Sequence, residues 1–289
     1  MDSAETLTAL RFVKMHGTGN HFVLIDGRQG PERDWSELAE ALCQARYGVG
    51  ADGLLVVLPS DRGVARMRMF NADGSEDMCG NGLRCVVRYL AGRGEMPAGH
   101  GIVEALSGSR EVAIVEREDQ SWYRVELGEP SLAAADIPSL LPVDPAIDYA
   151  LQVDGRPVRV TLVSMGTPHA VVLNQMPPDD EEWRHLSCRI ERHPAFPDRI
   201  TATWAEVESS GSLRARFFER GVGPTLACGT GACAAVVAAA LQGSCERSAR
   251  VNMPGGSVDV EWRADGHVVL TGPAVTVFEG EWPRVPCIP

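Results

Sequence analysis

Met78-Cys79-Gly80-Asn81-Gly82-Leu83-Arg84-Cys85 and Ala227-Cys228-Gly229-Thr230-Gly231-Ala232-Cys233 are two versions of one pattern, and their reading decides the fold. Each places a cysteine before Gly-x-Gly, and each Gly-x-Gly opens an apolar run. The first run ends at Gly92 and the second at Gly243. Glycine closing an apolar run is a common helix stop. Each cysteine is therefore expected at the N-terminus of a buried helix. There, free amide N–H groups and the positive end of the helix dipole favour an anion. Such a position predicts a lowered thiol pKa and an available thiolate.

The similarity extends upstream. Gly17-Thr18-Gly19-Asn20-His21-Phe22-Val23 precedes the first cysteine, and Gly166-Thr167-Pro168-His169-Ala170-Val171 precedes the second. Both read Gly-Thr, then His-x-Val, then an apolar strand ending at Asp26 or Asn174. His21 and Cys79 are 58 positions apart, His169 and Cys228 59. Two ordered matches at nearly one offset mark a chain built from two copies of one unit, each contributing one cysteine.

At 289 residues the chain fits one large domain or two of ordinary size. With 44% hydrophobic and 23% charged residues it reads as a soluble globular protein. The net charge of −12 argues against nucleic acid and anionic membrane surfaces as partners. No basic n-region followed by an apolar h-region opens the chain, and no apolar run approaches a membrane span. A cytoplasmic enzyme or binding protein is the expectation. Eight cysteines in such a chain are expected to stay reduced. Cys-x5-Cys and Cys-x4-Cys are not zinc-knuckle spacings, so no metal is expected. Cys43, Cys188, Cys245 and Cys287 have no motif around them and read as packing residues. Lys14 is the sole lysine and begins a turn without a phosphate cradle, which disfavours pyridoxal phosphate. No full dinucleotide fingerprint is present.

Taken in order, residues 9–15 and 22–25 read as strands, and Asp34-Trp35-Ser36 starts a helix through about Arg46. Strands at 54–58 and 64–70 lead to the polar turn Asn71-Ala72-Asp73-Gly74 before the first cysteine. Alternating segments near 102–106, 111–117 and 121–127 complete the first unit. From Gly128 to Asp148 the chain is rich in proline, alanine and acid, a linker composition. The second unit has strands at 158–163 and 170–173, an acidic segment at 179–186, and strands near 201–207 and 213–218. After its cysteine helix, strands near 249–253, 257–262, 267–271 and 274–278 finish the chain. The fold class is α+β: two pseudo-symmetric domains, residues 1–127 and 128–271, each a strand layer around one central helix, facing across a cleft.

Two thiols on opposite sides of one cleft suit inversion at a carbon bearing an acidic hydrogen. One thiolate removes the proton from one face and the other thiol returns a proton to the opposite face. The two helix N-termini would hold the attached carboxylate through backbone amides. Glu219-Arg220 adds a group suited to a second carboxylate. His16, His21 and His169 lie in Gly-rich turns and read equally well as structural hydrogen bonders.

These residues carry a resemblance. Lys14–Asn20, Gly48–Gly53, Asn71–Glu76, Cys79–Gly82, Ser164–Gly166, Pro168-His169, Glu219–Gly221, Ala227–Ala234 and Thr271–Ala274 resemble, in order, the diaminopimelate epimerase family. The resemblance implies a cofactor-independent isomerase that interconverts LL- and meso-diaminopimelate for lysine and cell-wall synthesis. It implies Cys79 and Cys228 as the two bases, tuned by His169 and Glu219. Asn20, Asn71 and Arg220 would hold substrate, as would Thr167 and Thr201 by position. Gly80-Asn81 and Gly229-Thr230 would bind the reacting carboxylate through their amides. A C-terminal segment, residues 272–289, would return to the first domain, and two chains would pair as a homodimer around Phe278. Thr167 and Thr201 stand where the family usually has asparagine, Pro224 where it has glutamate, and His21 where it has aspartate. Loss of two amide groups from the part that reads the distal end of the substrate leaves a racemase for another polar amino acid, such as histidine, as the alternative. A binding protein that keeps the fold without catalysis is a third reading, against which both complete cysteine motifs count.

Overall fold

The computed structural model of the chain describes residues 9–177 and 179–283. Eighteen strands join in one network of pairings, wrapped around two central helices. The first unit runs β1 (Leu10–Gly17), β2 (Asn20–Asp26), α1 (Trp35–Cys43), β3 (Gly53–Leu58), β4 (Ala65–Asn71), β5 (Glu76–Asp77), α2 (Gly80–Gly92), β6 (His100–Ala105), β7 (Gly108–Val115) and β8 (Trp122–Gly128). After the linker comes β9 (Tyr149–Val153). The second unit then runs β10 (Arg156–Ser164), β11 (Pro168–Leu173), α3 (Asp180–Glu191), β12 (Thr201–Ser209), β13 (Ser212–Glu219), β14 (Gly223–Thr225), α4 (Gly229–Leu241), β15 (Ser248–Met253), β16 (Gly256–Trp262) and β17 (Val268–Gly272), with β18 (Val275–Trp282) last.

The pairings repeat as the elements do. In the first unit β1–β2 is antiparallel, β2–β3 parallel, β3–β4 antiparallel and β4–β6 parallel. In the second, β10–β11, β11–β12, β12–β13 and β13–β15 follow the same alternation. The units join where β8 pairs antiparallel with β17. The strand after each unit leaves it: β9 pairs with β10 of the second unit, and β18 returns to pair with β1 of the first.

Strand composition follows from which faces are covered. The β3 sequence Gly-Leu-Leu-Val-Val-Leu lacks polar alternation because both its faces are packed. Leu54 and Val56 face an outer layer with Trp35, Ala39 and Leu42 of α1. Leu55 and Val57 face inward, toward Leu83, Val86, Val87 and Leu90 of α2. In the second unit Ala170 and Val172 of β11 join Trp183 and Ile190 of α3, while Val171 and Leu173 face α4. Both central helices share one inner core. Alanine-rich α4 is buried on every side from Gly229 to Ala239, and its small side chains let the strands close around it.

Several elements differ from the sequence reading. Helix α1 ends at Cys43 and not near Arg46, periodicity does not mark the short strands β5 and β14, and the acidic segment at 179–186, to which the sequence assigns no element, is the start of α3. Asp179 caps it by accepting from the Glu182 N–H at 2.8 Å, and Asp180, Glu181 and Glu182 occupy the first turn, where the dipole favours them. Strand β9, which sequence periodicity did not mark, forms because the chain leaving the linker finds the open edge of β10. Cys287 and the chain beyond residue 283 lie outside the described residues.

Candidate active site

Cys79 and Cys228 are the N-cap residues of α2 and α4. The Cys79 sulfur accepts from the Gly82 N–H at 3.3 Å. The second glycine of each motif is a packing requirement. A Cβ on Gly82 would lie 2.6 Å from Leu55 Cδ2, and one on Gly231 would lie 2.7 Å from the Phe217 ring. Any larger residue would force Leu55, the Phe217 ring or the helical turn itself to shift within a packed layer.

The two helix starts face one another across the units. A Cβ on Gly229 would lie 3.1 Å from Asn81 Oδ1. Each unit also sends its first hairpin turn to the other unit's cysteine. A Cβ on Gly19 would meet Leu226 at 3.3 Å, just ahead of Cys228, and one on Gly166 would meet Met78 at 3.5 Å, just ahead of Cys79. Glu219, at the end of β13, feels the charges of Asp52 and Asp77 from the first unit and also acts on Cys79. The constellation is thus assembled from both copies.

The thiols do not have the lowered pKa that a helix N-terminus suggests. Although part of Cys79 remains accessible, desolvation dominates and pushes its thiol up to about 11. The Gly82 N–H and Arg84 pull it back, while Glu219 adds to the rise. Cys228, 5% exposed, is raised well above an ordinary thiol, first by burial and then by Glu219. An amide donor reaches the Cys79 sulfur as the motif implies, whereas Cys228 makes no such cap bond, and at both sulfurs removal from water dominates. Glu219 is itself raised by burial, with Thr225 and Cys228 acting in the other direction.

The remaining candidate residues fall into two hydrogen-bonded chains. On the first unit, Asn20 Nδ2 donates to Asp52 at 2.7 Å, which fixes the amide so that Oδ1 accepts from Asn81 Nδ2 at 3.2 Å and lies 3.8 Å from the Cys79 sulfur. Asp52 also accepts from the His21 N–H, and the His21 ring meets Lys14, whose ammonium reaches the Gly50 carbonyl as well. Lys14 and His21 therefore serve to hold this wall. On the second unit, His169 is fully buried between Thr230 at 3.1 Å and Thr203 at 3.0 Å, and Thr230 reaches the Cys228 sulfur at 3.4 Å. Burial, reinforced by Arg220, lowers the His169 pKa to about 3. The ring is neutral at physiological pH, and Thr230 lies between it and the Cys228 sulfur.

Four positions need separate description. Asn71 ends β4 and bonds back to Ser75 of its own turn. Thr167 is partly exposed in the β10–β11 turn, next to the Gly166–Met78 contact. Thr201 is buried, and its hydroxyl accepts from the Arg220 N–H at 3.2 Å. The Arg220 side chain is exposed and forms no ion pair among the described residues. Gly80 and Gly229 are buried at the helix starts, both against Leu270. Sequence reasoning assigned no role to Asp52, Thr203 or Arg84. Asp52 and Arg84 sit inside the quoted motifs, but nothing local reveals what they touch.

A family model for diaminopimelate epimerase matches the chain twice, at residues 12–133 and 161–277, one match for each unit. The diaminopimelate epimerase of Desulfitobacterium hafniense is 45% identical over 278 residues, covering 94% of this chain and 97% of that protein. That of Desulforudis audaxviator is also 45% identical, covering 95% of this chain and all of that protein. A crystal structure of a probable proline racemase from Agrobacterium radiobacter superimposes with a TM-score of 0.69 over 96% of this chain and 94% of that one. At 16% identity it shows a shared fold. With both copies of the pattern matched and near full-length identity at this level, the chain belongs to the diaminopimelate epimerase family.

Proposed function

We propose that the protein interconverts LL- and meso-diaminopimelate by a two-base mechanism, with Cys79 and Cys228 as the paired thiolate and thiol. The observation that carries this reading is the placement of one cysteine from each copy at facing helix N-termini. The thiolate takes the α-hydrogen as a proton and becomes a thiol, and the C–H electron pair delocalises into the α-carboxylate. The opposite thiol delivers its proton to the other face and becomes the thiolate. The N–H groups of Gly80-Asn81 and Gly229-Thr230 hold that carboxylate as its charge grows. Thiols raised by burial give strongly basic thiolates, which narrows the gap to a weakly acidic carbon. The reaction uses only thiol and amide groups.

The distal end of the substrate falls to Arg220, Asn20, Asn71 and Thr167. Arg220 offers a guanidinium for a carboxylate. Thr201 accepts from the Arg220 backbone N–H, so threonine at this position helps to hold the Arg220 end of the site. This favours diaminopimelate over histidine, as do the names of the relatives. The test is exchange of the α-hydrogen with solvent deuterium across diaminopimelate, histidine, arginine, lysine and glutamate. Diaminopimelate is expected to exchange with the highest kcat/KM. Faster exchange of histidine would overturn the substrate, and no exchange in any of them would overturn the reaction.

No described helix is long and apolar enough to cross a membrane. We propose a cytoplasmic homodimer joined at β18, where Val277 and Phe278 are both exposed and Phe278 stands edge-on to Phe12 at 5.9 Å. Sedimentation is expected to give a dimer at micromolar concentration and a monomer for Phe278→Glu. A monomeric wild type would rule this out.

A further inference from the structure

The turn that carries Arg220 is held from the outer layer of the second unit. The Val222 N–H donates to the Glu219 carbonyl at 3.1 Å, which closes a four-residue turn with Arg220 and Gly221 at its centre. Gly221 takes the left-handed region at φ 76°, where any side chain would be strained. Both peptide groups that flank the Arg220 α-carbon are tied down. The Arg220 N–H donates to Thr201 Oγ1 at 3.2 Å, and the Gly221 N–H donates to Glu191 Oε1 at 3.0 Å. Fixing two successive peptide planes fixes the direction in which the side chain between them leaves the backbone.

Glu191 is the last residue of α3, and nothing in the helix accounts for it. A carboxylate at a helix C-terminus is opposed by the dipole, and a charge taken out of water is costly without partners. Yet Glu191 is only 2% exposed. It accepts from the Gly221 N–H, from Arg192 at 3.0 Å and from Arg199 at 3.4 Å. Both arginines are exposed enough to be satisfied by water, so the Gly221 bond is the one that ties helix to turn. The first unit uses the same device with other residues. There Ser36 Oγ of α1 donates to the Gly74 carbonyl at 2.7 Å, in the turn between β4 and β5. In both units the outer helix grips the turn ahead of the cysteine helix, and only in the second does that turn carry a cation.

We propose that Glu191 is a positioning residue for Arg220: by accepting from the Gly221 N–H it holds the turn that aims the guanidinium at the distal carboxylate of the substrate. This rests on the reading that Arg220 binds that carboxylate. A side chain aimed in advance loses less freedom on binding, so the effect belongs in KM. It is tested by a double-mutant cycle on the epimerisation of diaminopimelate. Arg220→Met is expected to raise KM. Glu191→Met fills the same space without an acceptor and is expected to raise KM about tenfold at nearly constant kcat, the scale of one hydrogen bond to a charged group. With Arg220 already replaced by Met, Glu191→Met is expected to add less than about twofold. Glu191→Gln keeps an oxygen within reach of Gly221 and is expected to recover most of what Glu191→Met loses. Effects that multiply in the double variant, or a wild-type KM in Glu191→Met with only Tm lowered, make Glu191 a strut of α3 and overturn the proposal. If Glu191→Met does not fold, Glu191→Asp takes its place in the cycle, since it keeps the charge for Arg192 and Arg199 and is one methylene short of Gly221. An unchanged KM in Arg220→Met removes the carboxylate reading and this proposal with it. A raised KM there, with none in Glu191→Met, removes this proposal alone.

Discussion

Cys79→Ala and Cys228→Ala are each expected to lower turnover by at least about two orders of magnitude, the scale of a positioned acid–base group. Each thiol serves one face of the carbon, and inversion uses both in either direction. Neither can therefore substitute for the other. The loss should fall on kcat, because the amides at the two helix starts still hold the carboxylate when a side chain is shortened. Stability should change little: Cys79 is only half-buried, and Cys228→Ala removes one sulfur from a site lined by small residues. Near wild-type kcat in Cys79→Ala, with folding unchanged, would remove Cys79 from the chemistry.

Mild oxidation is expected to abolish activity and a thiol reductant to restore it. The reaction needs one sulfur protonated and the other ionised, and a disulfide leaves neither. Asn81 Oδ1 lies against Gly229, so the residues flanking the two cysteines already touch. Bridging requires α-carbons within about 7 Å. Peptide mapping should show Cys79 joined to Cys228. Cys85 and Cys233 lie deeper in the inner core, on the helices rather than at their ends. Activity lost to a Cys79–Cys85 or Cys228–Cys233 bridge would contradict the facing arrangement.

The central helices were legible because their signal is local: a cysteine, Gly-x-Gly, an apolar run and a closing glycine. Observed α2 and α4 begin at Gly80 and Gly229, the residues after the cysteines. The duplication was legible for the same reason, since two ordered sets of motifs survive in one chain. Helix α3 was not, because Trp183 and Ile190, its large buried side chains, are seven residues apart among charged ones. The direction of the thiol shifts was misread because a motif shows the amide donors and not the strands that exclude water. Thr201 and Arg84 show the same limit from the other side. The use of each depends on a partner far along the chain, the Arg220 backbone for one and Thr18 and Pro273 for the other.

The most direct measurement of the two-base claim is the early time course of epimerisation of LL-diaminopimelate in deuterium oxide, with the isomers separated before mass analysis. If two thiols act on opposite faces, the proton added comes from a sulfur equilibrated with solvent and the proton removed stays on the other sulfur. The newly formed meso isomer should then carry deuterium at the inverted carbon from the first turnovers, while the remaining LL pool stays protiated. Deuterium entering both pools at equal rates, or a meso product that retains the original hydrogen, would contradict the assignment of Cys79 and Cys228 to opposite faces.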